Sequence, residues 1–262
     1  MKKSKKTDRI WSFLSLAIFI AIWEIFCALN SISDTPIINT AFFPSPHKLV
    51  TAIVNQIKNG QFQKDLFISM GRVIKGFLIA AVLGVGSGVL CGFFKPLSRL
   101  FNPIIELFRP IPAMAFLPIF LLWFGIGESS KVAFIAFGAF FTIYVNTYRS
   151  IIYTSPLLIR AAQCLGANKI QVLMKVGIPN SLPGILTGLR LGLGTSLFVL
   201  VAAELIAASA GLGFRIMECR NNIAIAIMLA YAFIIGIIGL FFNFIFGLLE
   251  KRLLRWSDRV EA

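Results

Sequence analysis

Residues 154–183 read TSPLLIRAAQCLGANKIQVLMKVGIPNSLP and lie between two long apolar runs, about Val132–Tyr153 and about Leu182–Ala208. Ser155 followed by Pro156 is a helix start: a capping hydroxyl, then the residue whose missing N–H is harmless at the first helical position. That helix is predicted to reach about Leu165, where Gly166 is free to take the left-handed conformation that closes a helix. Asn168 then caps a second short helix through Val176, and Gly177 and Pro179 are expected to end it. Leu157, Ile159, Leu165, Ile170, Val172 and Leu173 are too many apolar residues for a segment that only faces water. Ala161 and Ala162 keep one face small, so that another surface can come close. The stretch reads as a helical hairpin outside the membrane, packed on its own bundle or on a cytoplasmic partner.

The rest of the chain supports a membrane setting for this hairpin. Of 262 residues, 58% are hydrophobic and only 14% charged, against about 25% charged in an ordinary soluble domain. Such a chain has too little polar surface to cover a globule, and it is far too apolar to be disordered. A bilayer core needs about 20 apolar residues per helix. Six runs qualify: about Ile10–Leu29, Gly76–Phe94 with an earlier start possible, Asn102–Phe124, Val132–Tyr153, Leu182–Ala208 and Ile223–Leu249. The fold class is therefore an all-α integral membrane protein. Its predicted organisation is a tail at 1–9, a first membrane helix at 10–29, an external segment at 30–66, a core at 67–250 containing the 154–183 loop, and a tail at 251–262. The first run is too long for a signal-peptide apolar region and no A-x-A-like site follows, so it reads as a retained helix. In the external segment, Pro44-Ser-Pro46 precedes Leu49, Ile53, Val54 and Ile57, the spacing of an amphipathic helix lying on the membrane surface.

The net charge of +14 fits this layout better than nucleic-acid binding, because basic residues cluster at the ends of apolar runs. Sixteen Lys and Arg fall on the side holding both termini and the 154–183 loop, and eight on the other; Arg109 is inside the third run. The richer side is expected to be cytoplasmic. The four cysteines, Cys27, Cys91, Cys164 and Cys219, are widely separated and form no C-x-x-C, and His47 is the one histidine. Neither a metal site nor a histidine-based triad is expected, and no G-x-x-x-x-G-K-[ST] phosphate loop occurs. No catalytic residues or cofactor of its own are therefore expected.

Charges within the apolar runs are costly and are functional candidates by default. Glu24 in the first run suits a local pair. Glu106 and Arg109 are one turn apart, which allows either an intrahelical pair or an Arg free to meet an anionic substrate. Glu204, among Ala202, Ala203, Ala207 and Ala208, suits either a pathway wall or gate, or a buried hydrogen bond. Pro110, Pro112 and Pro118 are expected to kink or unwind the third run. Gly188, Gly192 and Gly194 allow close packing in the fifth, so that runs three and five can form a pathway wall with Arg109, Pro112 and Glu204 as candidates.

Ala161-Ala162, Gly166, then Val176 and Ile178-Pro179 resemble the EAA loop of ABC importer permeases: E-A-A, three residues, Gly, nine residues, then I-x-L-P. Arg160 stands where Glu is usual and Ile178 where Leu is usual. The resemblance continues through FFPSPHKLV near residue 42, RPIPAMAFLPIFLLWFGIG from Arg109, LPGILTGLRLGLG from Leu182 and VAAELIAASAGLGFRI from Val201, all similar to the nitrate/sulfonate/taurine branch. The resemblance implies a type I importer-like fold in a bacterial inner or plasma membrane. It implies a homodimer, each copy docked on a subunit of a cytoplasmic ATPase dimer that uses ATP and Mg, and an extracytoplasmic substrate-binding protein that delivers the solute. The coupling residues it implies are Arg160, Ala161, Ala162, Gly166, Ala167, Val176, Ile178 and Pro179. The expected cargo is a small anion of the sulfonate, taurine or nitrate type. Within the same branch the alternative is a vitamin precursor, and outside it a membrane-embedded enzyme or an ion-coupled carrier.

Overall fold

A computed structural model describes residues 5–32, 38–39 and 42–254; the remainder of both predicted tails lies outside the described residues. The described residues are helical with no strand. In order they form α1 (Lys5–Ile32), α2 (Pro46–Lys58), α3 (Gln61–Phe93), α4 (Lys95–Phe108), a 3₁₀ turn (Ala113–Phe116) and α5 (Leu117–Phe124). There follow α6 (Glu128–Ile152), α7 (Pro156–Cys164), α8 (Lys169–Val172), a π turn (Leu173–Gly177), α9 (Ile178–Ala207), α10 (Leu212–Asn221) and α11 (Ile225–Leu253). Five helices are long and apolar enough to cross a membrane, and a sixth crossing exists if α4 and the Ala113–Phe124 segment count as one span.

The chain divides into two compact units, residues 1–65 with 215–234, and residues 66–214 with 235–262. In the first, Trp23 and Phe26 of α1 pack on Phe43 just before α2, and Trp23 also meets Phe233. Glu24 does find a local partner, His47 Nδ1 at 2.6 Å. Asp65 accepts from Arg215 Nε at 3.0 Å and from the Tyr231 hydroxyl at 3.2 Å. Burial works against the charge of Arg215, but the hydrogen bond to Asp65 and the negative charges of Asp65 and Glu218 together outweigh it and raise the guanidinium pKa.

The second unit is organised around α6, which is gripped by glycine ridges on two sides. On α3 the ridge is Gly76, Ala80, Gly84, Gly88 and Gly92, one residue every four, so it runs along a single face. A Cβ at Gly76 would lie 2.6 Å from Ile135, at Gly84 2.9 Å from Ile143, at Gly88 2.8 Å from Thr147 and at Gly92 2.7 Å from Ile151. On α9 the ridge is Gly184, Gly188 and Gly192, and a Cβ at Gly188 would lie 2.8 Å from Cβ of Asn146. Helices in lipid associate through such close backbone approach rather than through a hydrophobic drive. The core that results contains Val73, Phe134, Ile135, Leu197, Val199 and Leu200. Gly88→Ala is expected to destabilise the purified protein by about 1–3 kcal/mol through overpacking. Gly86→Ala, two residues away and facing open space, is expected to be neutral or stabilising by up to about 1 kcal/mol. Unfolding of both variants in detergent checks this; equal behaviour would remove the ridge as the reason for the packing.

One sequence expectation, the bend of the third run, is met, and one changes. The third run breaks sharply: α4 and the Ala113–Phe124 segment meet at 91°. Pro110 and Pro112 supply no N–H to continue α4, whereas Pro118 sits in the first turn of α5, where the missing N–H costs nothing. The second helix of the loop does not stop at Gly177 and Pro179. It passes through the π turn into α9, because Pro179 falls in the first turn of that helix and Gly177 keeps right-handed helical backbone at φ −60°. The fifth crossing therefore begins well before residue 182, within a continuous segment from Lys169 to Ala207.

Candidate functional site: a docking knob, a basic cleft and a buried latch

The knob grows directly from the end of α6. Pro156 occupies the first turn of α7 after Ser155, and α7 closes with Gly166 at φ +83°. Gly166 N donates to Gln163 O at 2.9 Å and Ala167 N to Ala162 O at 3.0 Å, the paired bonds of a Schellman cap. Ala162, Gln163, Gly166 and Ala167 thus supply the bonds that make this turn. Asn168 then opens α8 with a reciprocal capping box: its side chain accepts from Gln171 N at 2.8 Å and its N–H donates to Gln171 Oε1 at 2.9 Å. Val172 and Leu173 are buried beneath the knob, but Leu157, Leu165 and Ile170 are 75%, 89% and 68% exposed. Packing on its own bundle therefore does not account for the apolar residues of the loop. Arg160 and Ala161 are exposed, and Ala162, Val176, Ile178 and Pro179 are half-buried beside them.

The cleft is formed where the third run breaks. It has a volume of about 540 Å³ and is lined by residues 109–114, one face of α6 (Phe137, Gly138, Phe141, Thr142, Val145, Asn146) and Thr195, Phe198 and Val199 of α9. Its position is held by α4, which is tied to α6 by the Tyr144 hydroxyl donating to Asn102 Oδ1 at 2.5 Å and by Ser98 against the Tyr148 hydroxyl at 3.0 Å. Arg109 and Pro112 both line the cleft. The anticipated pair between Glu106 and Arg109 does not form: Arg109 is exposed, lines the cleft and makes no ion pair with any described residue. No carboxylate lines the cleft, so its one full charge is positive. Thr142, Asn146 and Thr195 were not singled out by sequence. Their signal was available, since Thr142 and Asn146 are four apart on an otherwise apolar helix face.

Glu204 is elsewhere. It does not line the cleft; its side chain is 0% exposed and lies inside a latch joining α3, α9 and the 208–213 turn. Arg72 Nη1 donates to Glu204 Oε1 at 2.6 Å, and Ser69 Oγ donates to the same carboxylate at 2.7 Å. Gly213 N donates to Glu204 Oε2 at 2.8 Å, while Leu212 N donates to Ser69 Oγ at 2.8 Å and Arg72 Nη1 to Ala210 O at 2.7 Å. Arg72 also grips Glu128 at the start of α6 through two bonds of 2.6 Å, and Lys131 joins Glu128 at 3.2 Å. A Cβ at Gly213 would lie 2.8 Å from that of Glu204, so glycine is required where the turn crosses the carboxylate. Of the two sequence readings of Glu204, the geometry is that of the buried, hydrogen-bonded one, because both carboxylate oxygens accept from protein donors and neither lines the cleft. In the sequence Arg72 is one of the eight basic residues counted on the outer side, with no role of its own. Extending the α3 glycine ridge back by one turn from Gly76 arrives at Arg72, which is the signal that places it inside. No group of three metal-ligating side chains occurs among the described residues.

Comparison with known proteins settles the family. The family described as binding-protein-dependent transport system inner membrane component matches residues 82–255. A Bacillus subtilis permease named for aliphatic sulfonates, SsuC, is 36% identical over 94% of this chain and 87% of its own length. The Escherichia coli taurine transport system permease protein TauC is 35% identical over 94% and 90%. The Synechocystis nitrate import permease protein NrtB is 28% identical over 91% and 86%. Among solved structures, an inward-facing MetNI methionine ABC transporter aligns with a TM-score of 0.63 at 21% identity, covering 71% of this chain and 93% of that one, a likeness of fold. The helical hairpin, the broken third span and these relatives converge: the chain belongs to the inner membrane components of binding-protein-dependent transport systems, the multi-pass permease subunits of ABC importers, which work with an ATPase and a substrate-binding protein and are not themselves enzymes.

Proposed function

We propose that this permease carries a small organic or inorganic anion, as two copies of the chain, and that α7 with the turn at Gly166 receives the ATPase. The observation that carries the anion reading is Arg109, unpaired at the broken span in a cleft without a carboxylate. A guanidinium set within an apolar run is costly unless a counter-charge meets it. Relatives named for taurine and nitrate, both bearing anionic oxygens, support the same class, and a neutral vitamin precursor would leave the charge unanswered. Exposed Leu157, Leu165 and Ile170 support α7 as the docking surface. ATP and Mg belong on the ATPase. The basic-residue asymmetry supports both termini and the knob on the cytoplasmic side.

One set of measurements tests this reading. The permease is expected to co-purify with its ATPase and, with its substrate-binding protein added outside, to take up an anion in liposomes only when ATP is enclosed with the ATPase. In a background with Cys27, Cys91, Cys164 and Cys219 replaced by Ser, cysteine at position 58 is expected to react with an impermeant label on intact cells and at position 169 to be protected. The opposite labelling pattern overturns the orientation and the docking surface together. Uptake without the ATPase overturns the coupled mechanism.

A further inference from the structure

We propose that the cleft is itself a specificity site: Thr142 and Asn146 join Arg109 as a seat for a sulfonate group, and Phe137, Phe141 and Phe198 hold an alkyl tail. The proposal rests on the anion reading above and adds to it a discrimination made by the permease rather than by the delivering protein.

The seat consists of donors. Arg109 presents a guanidinium with no protein partner among the described residues, and a guanidinium fork matches two oxygens of one oxyanion. Thr195 Oγ1 donates to Leu191 O at 3.0 Å, which spends its proton. Its oxygen is then left to accept, and Thr142 Oγ1 lies 3.4 Å away, too far for a strong bond. The Thr142 hydroxyl proton is held only by this long bond, which a ligand oxygen in the cleft can replace. Asn146 Nδ2 uses one N–H on Thr142 O at 2.8 Å and keeps the second for a ligand. Thr142 and Asn146 are one helical turn apart, so both donors face the same side of α6. With no carboxylate lining the cleft, these groups can face an anion without a neighbouring negative charge.

The rest of the cleft is apolar and too large for a bare inorganic anion. At about 540 Å³ it has the size of a site for an organic molecule rather than for a four-atom ion. Phe137 and Phe141 meet edge to face with centroids 5.1 Å apart, forming a wall fixed by the next ring, Phe116, at 5.0 Å from Phe137. Phe198 enters from α9. A nitrate would use the seat alone and leave this wall wet. An alkanesulfonate would use both, and each buried CH₂ contributes about 0.8 kcal/mol, or roughly fourfold in affinity.

The test uses the permease–ATPase complex in nanodiscs without binding protein, with methanesulfonate, ethanesulfonate, butanesulfonate and nitrate as probes. Saturation-transfer NMR reports weak binding through the alkyl protons. Affinity is expected to rise by about two- to fourfold per added CH₂, and nitrate is expected to displace butanesulfonate at least about tenfold more weakly than butanesulfonate displaces itself. Arg109→Gln is expected to weaken butanesulfonate by at least about tenfold, and Thr142→Val by about three- to tenfold. Affinity independent of tail length, nitrate competing on equal terms, or no transferred signal from any sulfonate each overturns the proposal. Unaltered binding in Arg109→Gln does so as well. These outcomes are separate from failure of the anion reading, which would appear as ATP-driven uptake of a neutral solute and of no anion by the assembled complex.

Discussion

Glu204→Ala is expected to destabilise the protein by about 3–5 kcal/mol, because it leaves Arg72 buried at 4% exposure with one of its two carboxylate partners gone. The loss is not confined to one ion pair. Ser69 Oγ and Gly213 N lose their acceptor at the same time, and the 208–213 turn loses its anchor on α9. Glu204→Gln preserves shape but turns an amide NH₂ toward a set of donors, and is expected to cost about 1–3 kcal/mol. Replacing both partners, Arg72→Leu with Glu204→Leu, is expected to be less damaging than the sum of the single changes, since a pair removed together leaves no orphan charge. Thermal unfolding of the four proteins in detergent gives the cycle, and ATP-driven uptake is measured beside it. The decisive alternative is Glu204→Gln with wild-type stability and no uptake. That result would return the carboxylate to the transport path and refute its assignment to the latch.

The residues behind this prediction show where sequence reading stops. Crossing helices were legible because length and apolarity are local properties, and the break near Pro110 and Pro112 because proline removes a donor wherever it stands. The cap at Gly166 was legible for the same reason: its chemistry is complete within a few residues. Glu204 was visible as a costly charge, but its partners Ser69 and Arg72 are 135 and 132 residues away, and nothing local links them. Arg72 drew no notice among the basic residues of the outer side, because a charge at the edge of an apolar run carries no mark of burial until the glycine ridge on the same face is followed back to it. The Glu106–Arg109 pair failed in the opposite way. Helical spacing permitted it, but Arg109 stands at the end of α4, where the chain turns away to line the cleft. The continuation of the loop into α9 was missed because proline stops a helix in its interior and starts one in its first turn, and sequence alone did not say which turn Pro179 occupied.

Gly166→Val is expected to separate ATP hydrolysis from uptake while the protein still inserts and folds. At φ +83° a β-branched residue is strained, and left-handed backbone costs an ordinary residue roughly 1–2 kcal/mol. The strain is relieved by opening the turn, which breaks the bonds from Gly166 N to Gln163 O and from Ala167 N to Ala162 O and re-aims α7 relative to α8. No atom lies within 4 Å of where a Cβ at 166 would stand, so the effect comes from backbone conformation rather than collision. Gly166→Asn supplies the control, because Asn tolerates the left-handed region and also caps helices there. It is expected to keep most of the coupling that Val loses. Ala162→Trp attacks the same surface by volume: it is half-buried at the third position from the cap, next to the exposed Leu165. If all of an overpacking cost of about 1–3 kcal/mol appears in docking, ATPase affinity falls roughly 5- to 150-fold. The measurements are co-purification of the ATPase with each variant and the ratio of ATP hydrolysed to solute accumulated in liposomes. Equal coupling in the Val and Asn variants would show that the turn's conformation is irrelevant to docking. Full ATPase retention by Ala162→Trp would move the docking surface off α7 altogether.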